Sequence, residues 1–450
     1  MSSCRLRPSE GIRAGALGFS TSRAIAHKTL DGRHIPTLDA EEIELAEIGA
    51  ALRGTGAGWL QVISDFDEPE EEFAMLRRLA EGSGRPMTFS LLQRESRPWL
   101  WRFLLERIEA ANRDGAARMM GQVMGRPIGL MFGFELSQHP VVARPSYQEI
   151  AHLPFPRRIE ALRQPERRAR ILAEPTADPM RAHRLNTWSM LFPLGDPPEY
   201  EPLPETSVAA EAARRGVDPQ ALAYDMMLER DGRFILNRPI INYADGDLEA
   251  VREMVTHPHT IMGLGDGGAH VGFICDASST THMITHWTRD RVRGPRLPLG
   301  YVVRRLTRDN AVALGLRDRG VIAPGHQADI NVMDYGRLRV RPPEMRYDLP
   351  AGGKRLVQRA EGYVATIVSG QVVYRRPRRR YSAAGVTSAT RALTSYSSAT
   401  RSSLASIASA STSARWTQPI WVKACRTFGP NRLMSLMVGA MRVKSRPRNM

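Results

Sequence analysis

The chain has 450 residues, 42% of them hydrophobic, and a formal net charge of +16. The charge is unevenly placed: residues 375–450 contain 15 Lys and Arg and no Asp or Glu, so residues 1–374 carry only +1. A nearly neutral body argues against a nucleic-acid-binding surface, and three widely spaced cysteines (Cys4, Cys275, Cys425) argue against a disulfide framework and for a reducing compartment.

Short apolar, β-prone runs alternate with helical stretches along the body. Residues 16–21 read as a strand, 40–52 as a helix, 59–64 as a strand, 70–81 as a helix and 86–92 as a strand. A helix over 99–112 follows Pro98, and strands are expected near 121–124 and 128–132. Between Phe134 and Phe234 lies an excursion rich in Pro and Arg, too long to be structureless. It reads as helical over 159–173 and 208–230, either as a lid over a site or as a packed peripheral subdomain. A strand at 234–237 and a helix at 248–255 lead to the buried strand 260–262. Strands alternating with helices at this spacing predict a parallel sheet and a barrel.

The strand at 260–262 runs into Gly263-Leu-Gly-Asp-Gly-Gly-Ala-His270. Glycines on both sides let the backbone turn sharply around Asp266, and the carboxyl end of a barrel strand is where a (β/α)₈ enzyme keeps its reactive groups. Beyond the barrel, 328–334 alternates at period two, and 366–374 reads as two strands around Ser369-Gly370.

Five segments carry a resemblance: Gly15-Ala-Leu-Gly-Phe-Ser-Thr-Ser-Arg, the Asp266 loop, Leu306-Thr-Arg-Asp-Asn-Ala-Val-Ala-Leu-Gly-Leu, Arg319-Gly-Val-Ile-Ala-Pro-Gly-His-Gln-Ala-Asp, and Ala365-Thr-Ile-Val-Ser-Gly. Their order resembles the amidohydrolase superfamily, family 3, the branch of N-acyl-D-amino-acid deacylases. The resemblance implies a TIM-type (β/α)₈ barrel over residues 1–317, with a helical insertion at about 135–233, and a partial β lobe over 318–376. It implies a metal-dependent hydrolase of non-peptide C–N bonds, with zinc as the divalent metal and a small N-acyl-amino-acid-like substrate. A complete member would begin with a small β segment and a strand carrying His-x-His, so the chain is expected to be an incomplete barrel, truncated by roughly two strands.

The resemblance makes Asp266 the carboxylate that takes a proton from the attacking water and passes it to the leaving nitrogen. His270, on the same loop, is the expected assistant. Arg23, after the first strand, suits a substrate carboxylate because a guanidinium matches that geometry. His27 is the candidate metal ligand. His257-Pro-His259 has metal-binding spacing but precedes its strand; at about 3.3 Å per residue, His259 stands roughly 23 Å from Asp266. His282 and His286 share a helix face, but no Glu follows His282, and Trp287 points to packing. Positions where the resemblance leads one to look for histidine hold Leu91 and Gln122. Zinc sites take at least three protein ligands, so the alternative is a catalytically inactive fragment.

Residues 377–450 read as a disordered basic tail, with a Ser/Thr/Ala-rich stretch at 382–413. The abrupt loss of acidic residues fits out-of-frame translation beyond Tyr374. The alternative is a basic arm binding nucleic acid or an anionic membrane surface, although the tail lacks regularly interleaved aromatics. No N-terminal apolar region reads as a signal peptide, and the apolar stretch at 433–440 is too short to span a bilayer. A cytoplasmic protein with no membrane partner and no specific nucleic-acid partner is the expectation.

Overall fold

A computed structural model of the chain describes residues 2–29, 31–175, 187–263, 270–376 and 434–437. Helix α1 (Ser2–Arg13) precedes β1 (Gly18–Arg23), α2 (Glu42–Thr55), β2 (Trp59–Ser64), α3 (Pro69–Ser83), β3 (Met87–Ser90), α4 (Leu100–Arg113) and β4 (Met119–Val123). These strands are joined by helical crossovers and pair in parallel, as connections of that length require. Further along, α5 (Phe155–Leu162), α6 (Pro165–Ala173), α7 (Val208–Arg215) and α8 (Pro219–Gly232) fill the excursion. Helix α9 (Glu249–Thr256) then delivers β8 (Thr260–Met262), which pairs in parallel with β4. The sheet order is β1-β2-β3-β4-β8.

Two segments expected in that sheet lie elsewhere. β5 (Ile128–Phe132) follows β4 after only residues 124–127, too short a link for a parallel crossover. It pairs instead with β7 (Leu236–Ile241) in an antiparallel sheet that β6 (Phe192–Pro193) completes. β7 starts two residues later than the apolar run at 234–237 suggests. Among the described residues no hydrogen-bonded pairing joins β1 to β8.

Alternation along the parallel strands sorts their side chains. Leu60, Val62, Met87, Phe89, Met119 and Val123 bury against Leu52 of α2, Leu76 and Leu79 of α3, and Leu104 and Ile108 of α4. On the other face, Trp59 and Ile261 close the amino end with Ala313. Above them run Ser20, Gln61 and Thr88, adjacent in register, and then Ser90 beside Gln122. That face becomes polar toward the carboxyl ends of the strands.

The excursion has its own core. Phe134, Tyr147, Ile159, Leu162, Val208, Tyr224 and Met227 are buried together with Phe132 and Leu236 of the antiparallel sheet. Both long helices expected there are broken. Pro165 ends one and restarts it as α6, since a proline at the first helical position lacks only an N–H that would be unpaired anyway. Gly216, at φ +66°, closes α7, and Asp218 caps α8 by accepting from Ala221 N–H at 2.8 Å.

At the far end, β9 (Ile330–Asp334), β10 (Tyr363–Val368) and β11 (Gln371–Arg375) form an antiparallel sheet. A fourth strand, β12 (Met434–Met437), pairs with the other edge of β9. This corrects the expectation that all of 377–450 lacks regular structure. A short segment without Pro or Gly can satisfy the open backbone edge of β9.

Candidate active site

The carboxyl ends of β1, β2, β3, β4 and β8 form one rim, the end at which a parallel α/β sheet gathers its functional groups. β8 leads into residues 264–269, so Asp266 lies outside the described residues. His270, on the far side, is exposed and left-handed at φ +54°. Its carbonyl accepts from Phe273 and Ile274 N–H, each at 3.0 Å.

The other expected residues have local partners. His27 is half-buried, with Nδ1 at 2.5 Å from Ser22 Oγ. Arg23 donates from Nη1 to the Ala40 carbonyl at 2.6 Å, tying the 36–40 turn to the end of β1. That guanidinium makes a backbone contact, which is not the carboxylate contact proposed for it.

Sequence reasoning missed the groups that knit the rim together. Asp65, just beyond β2, accepts from Ile25 N–H at 2.7 Å and from Arg94 at 2.6 Å, while Arg94 also donates to Ser64 O. One carboxylate thereby joins the ends of β1, β2 and β3. Its position straight after an apolar strand was the available signal. Gln93 and Asn242 hold each other reciprocally: Gln93 N–H donates to Asn242 Oδ1 at 2.9 Å, and Asn242 N–H to Gln93 O at 2.8 Å. No local pattern links residues so far apart in sequence.

Among the described residues no three His, Cys, Asp or Glu side chains come together in a way that could hold a metal ion. At the rim, Asp65 is engaged by Arg94 and His27 by Ser22. Ser90 and Gln122 occupy the facing positions of β3 and β4. These residues do not fit a metal centre. His257 and His259 lie before β8; His257 Nε2 is 2.9 Å from Glu109 Oε1, and His259 O accepts from Gly121 N–H.

His282 and His286 belong to a different cluster, in and just after α10 (Ser279–Thr285). Their rings stack at 4.7 Å, and His286 Nε2 lies 3.0 Å from Glu201 Oε2. Arg291 donates to both oxygens of Glu201, at 2.9 and 3.0 Å. Burial would raise the Glu201 carboxyl, but the hydrogen bonds from His286 and Arg291 outweigh it and hold the group down at about 2. Burial, then His286 and Arg126, push the His282 imidazole well below the usual histidine range, so it is neutral. Trp287 donates to Gly125 O at 2.6 Å, a packing role.

An α/β body with a parallel sheet, a rim that is polar at the carboxyl ends of its strands and a Gly-rich sequence directly after β8 defines the class. The chain belongs to the amidohydrolase family, whose model matches residues 4–374. Two similar solved structures are D-aminoacylases. One, described for the functional role of its binuclear metal centre, is 15% identical with a TM-score of 0.46, covering 84% of this chain and 64% of that one. The other, described as defining a novel subset of amidohydrolases, is 15% identical with a TM-score of 0.45, covering 83% and 63%. This chain thus spans less than two thirds of the length of these proteins. No curated protein matches it significantly. No helix among the described residues is long and apolar enough to cross a membrane.

Proposed function

We propose that the chain is a hydrolase of non-peptide C–N bonds acting on a small N-acyl-amino-acid-like molecule, with its reacting centre at the carboxyl-end rim of the parallel sheet. Membership of the amidohydrolase family over residues 4–374 carries this reading. In it, the body over 1–317 is a TIM-type barrel and 318–376 a partial β lobe, in a cytoplasmic protein. The Asp266 carboxylate accepts a proton from the attacking water and returns it to the leaving nitrogen. His270 assists from the same loop, and Arg23, once released from Ala40 O, receives the substrate carboxylate. The family resemblance implies zinc, with His27 as a ligand; the described residues do not gather a set that fits a metal.

The same observation favours a second reading, that this polypeptide is catalytically silent. One assay separates them: release of free amine from N-acetyl-amino acids of both configurations, by the full chain, with and without added zinc. The first reading expects amine release that falls about 10²- to 10⁴-fold in Asp266→Asn. Release that survives this substitution overturns the role of Asp266. No release under any condition leaves the silent reading standing.

A further inference from the structure

Three basic side chains converge where the excursion meets residues 343–357, and the proposed chemistry uses none of them. The chain leaves β5 through Gly133, Phe134 and Glu135, and carbonyls of two successive residues there collect cations. Arg158, in the first turn of α5, donates from Nη2 to Phe134 O at 3.0 Å, and Lys354 Nζ donates to Glu135 O at 2.9 Å. Arg233, just beyond α8, completes the group. Its guanidinium lies 5.2 Å from the ring centre of Phe155, and that of Arg158 lies 5.5 Å from the same ring.

One carboxylate faces them. Glu135 Oε2 is 3.6 Å from Arg233 Nε, and its Oε1 accepts from the Tyr347 hydroxyl at 3.4 Å. Arg346, nearby, is taken up by Glu344 at 2.6 Å. Three cations thus meet a single anion, in a body that carries only +1 in all. Burial, then Arg158, lower the Lys354 amine below the usual lysine range, against the pull of Glu135. Arg158 Nε is buried without a hydrogen-bond partner. Like charges held close and an unpaired buried donor are costs that an added anion removes. Beside them opens a cavity of about 390 Å³, whose lining includes Glu135, Arg233, Phe234, Arg346 and Tyr347.

We propose that this joint binds a small phosphomonoester, with Arg158, Arg233 and Lys354 facing the phosphate and the cavity receiving the organic part. A phosphate monoester carries about −1.5 to −2 at neutral pH, which matches three cations less one carboxylate. Guanidinium groups also pair with its oxygens two at a time. A single carboxylate would meet only part of the surplus. The site is separate from the rim of the parallel sheet and does not depend on the activity proposed there.

The test is the melting temperature of the full chain against inorganic phosphate and against glycerol phosphate, at fixed ionic strength. Phosphate attracted by the charge of residues 377–450 binds folded and unfolded chain alike and does not move the melting point. Each ligand should raise Tm by about 2–4 °C along a saturating curve, glycerol phosphate at the lower concentration. Arg233→Gln, at an exposed position, and Lys354→Gln should each raise the half-saturating concentration about tenfold. Glu135→Gln, which removes the competing carboxylate, should lower it roughly threefold or more. Arg157→Gln, at an exposed residue paired with Glu160, should leave it unchanged. A rise that stays linear, or that is the same in Arg233→Gln and Lys354→Gln, is the general effect of an excluded salt and overturns the proposal. An equal response to acetate overturns it as well, since that would assign the joint to single carboxylates.

Discussion

Glu201 shows how a single carboxylate can organise a region. It is buried, His286 and Arg291 hold it as the anion, and Arg291 is also paired with Glu249. Removing its charge leaves the fully buried guanidinium of Arg291 with Glu249, at its exposed edge, as the remaining anionic partner. Glu201→Gln should therefore cost about 3–5 kcal/mol in urea unfolding, the usual penalty for breaking a buried pair from one side. The acid response follows from the same cluster. A carboxyl lowered from 4.5 to about 2 contributes stability that is full above the upper value and lost as pH falls toward the lower one. His282, lowered from 6.5, also disfavours acid, because the unfolded chain binds a proton that the folded one refuses. Unfolding free energy measured against pH should decline below about 6.5 and steepen below about 4.5. His282→Gln should flatten the upper part of the decline and leave the lower part intact.

Among the elements, α3 carries the clearest energetic role. Leu76 is fully buried, and α3 packs against β3 between α2 and α4. Leu76→Ala should destabilise the chain by about 2–5 kcal/mol, measured by denaturant midpoint at unchanged slope, because a rigid neighbourhood refills a cavity only partly. Where an apolar period meets a local start signal, as after Pro98, the helix α4 lies where the sequence places it. The errors also had local causes. The breaks at Pro165 and Gly216 follow from backbone rules that outrank a continuing helical pattern. β5 has a strand's composition, but its short link to β4 decided which sheet it could join.

Over the whole molecule, charge and fold are separable. The +15 of residues 375–450 sits beside a body of +1, and among the described residues of that stretch Arg375, at the end of β11, and 434–437 join a sheet. A chain ending at Tyr374 should pass unretained through a cation-exchange column at neutral pH, whereas the full chain should elute only at high salt. Retention of the shortened chain would show a basic surface on the body that its near-zero charge does not suggest. At the rim of the parallel sheet, Asp65 and Arg94 are paired with each other.

By itself the sequence determined the alternation that builds β1 to β4 and β8, the Gly-rich loop with Asp266, and the family these motifs resemble. These are local properties, set by side-chain period, turn chemistry and the order of short motifs. Only the tertiary structure decided that β5 and β7 leave the parallel sheet, that Asp65 joins the ends of β1, β2 and β3, and that Gln93 and Asn242 hold each other. The partners in those contacts stand far apart in the chain, and hydrogen bonds between distant residues leave no periodic trace in sequence.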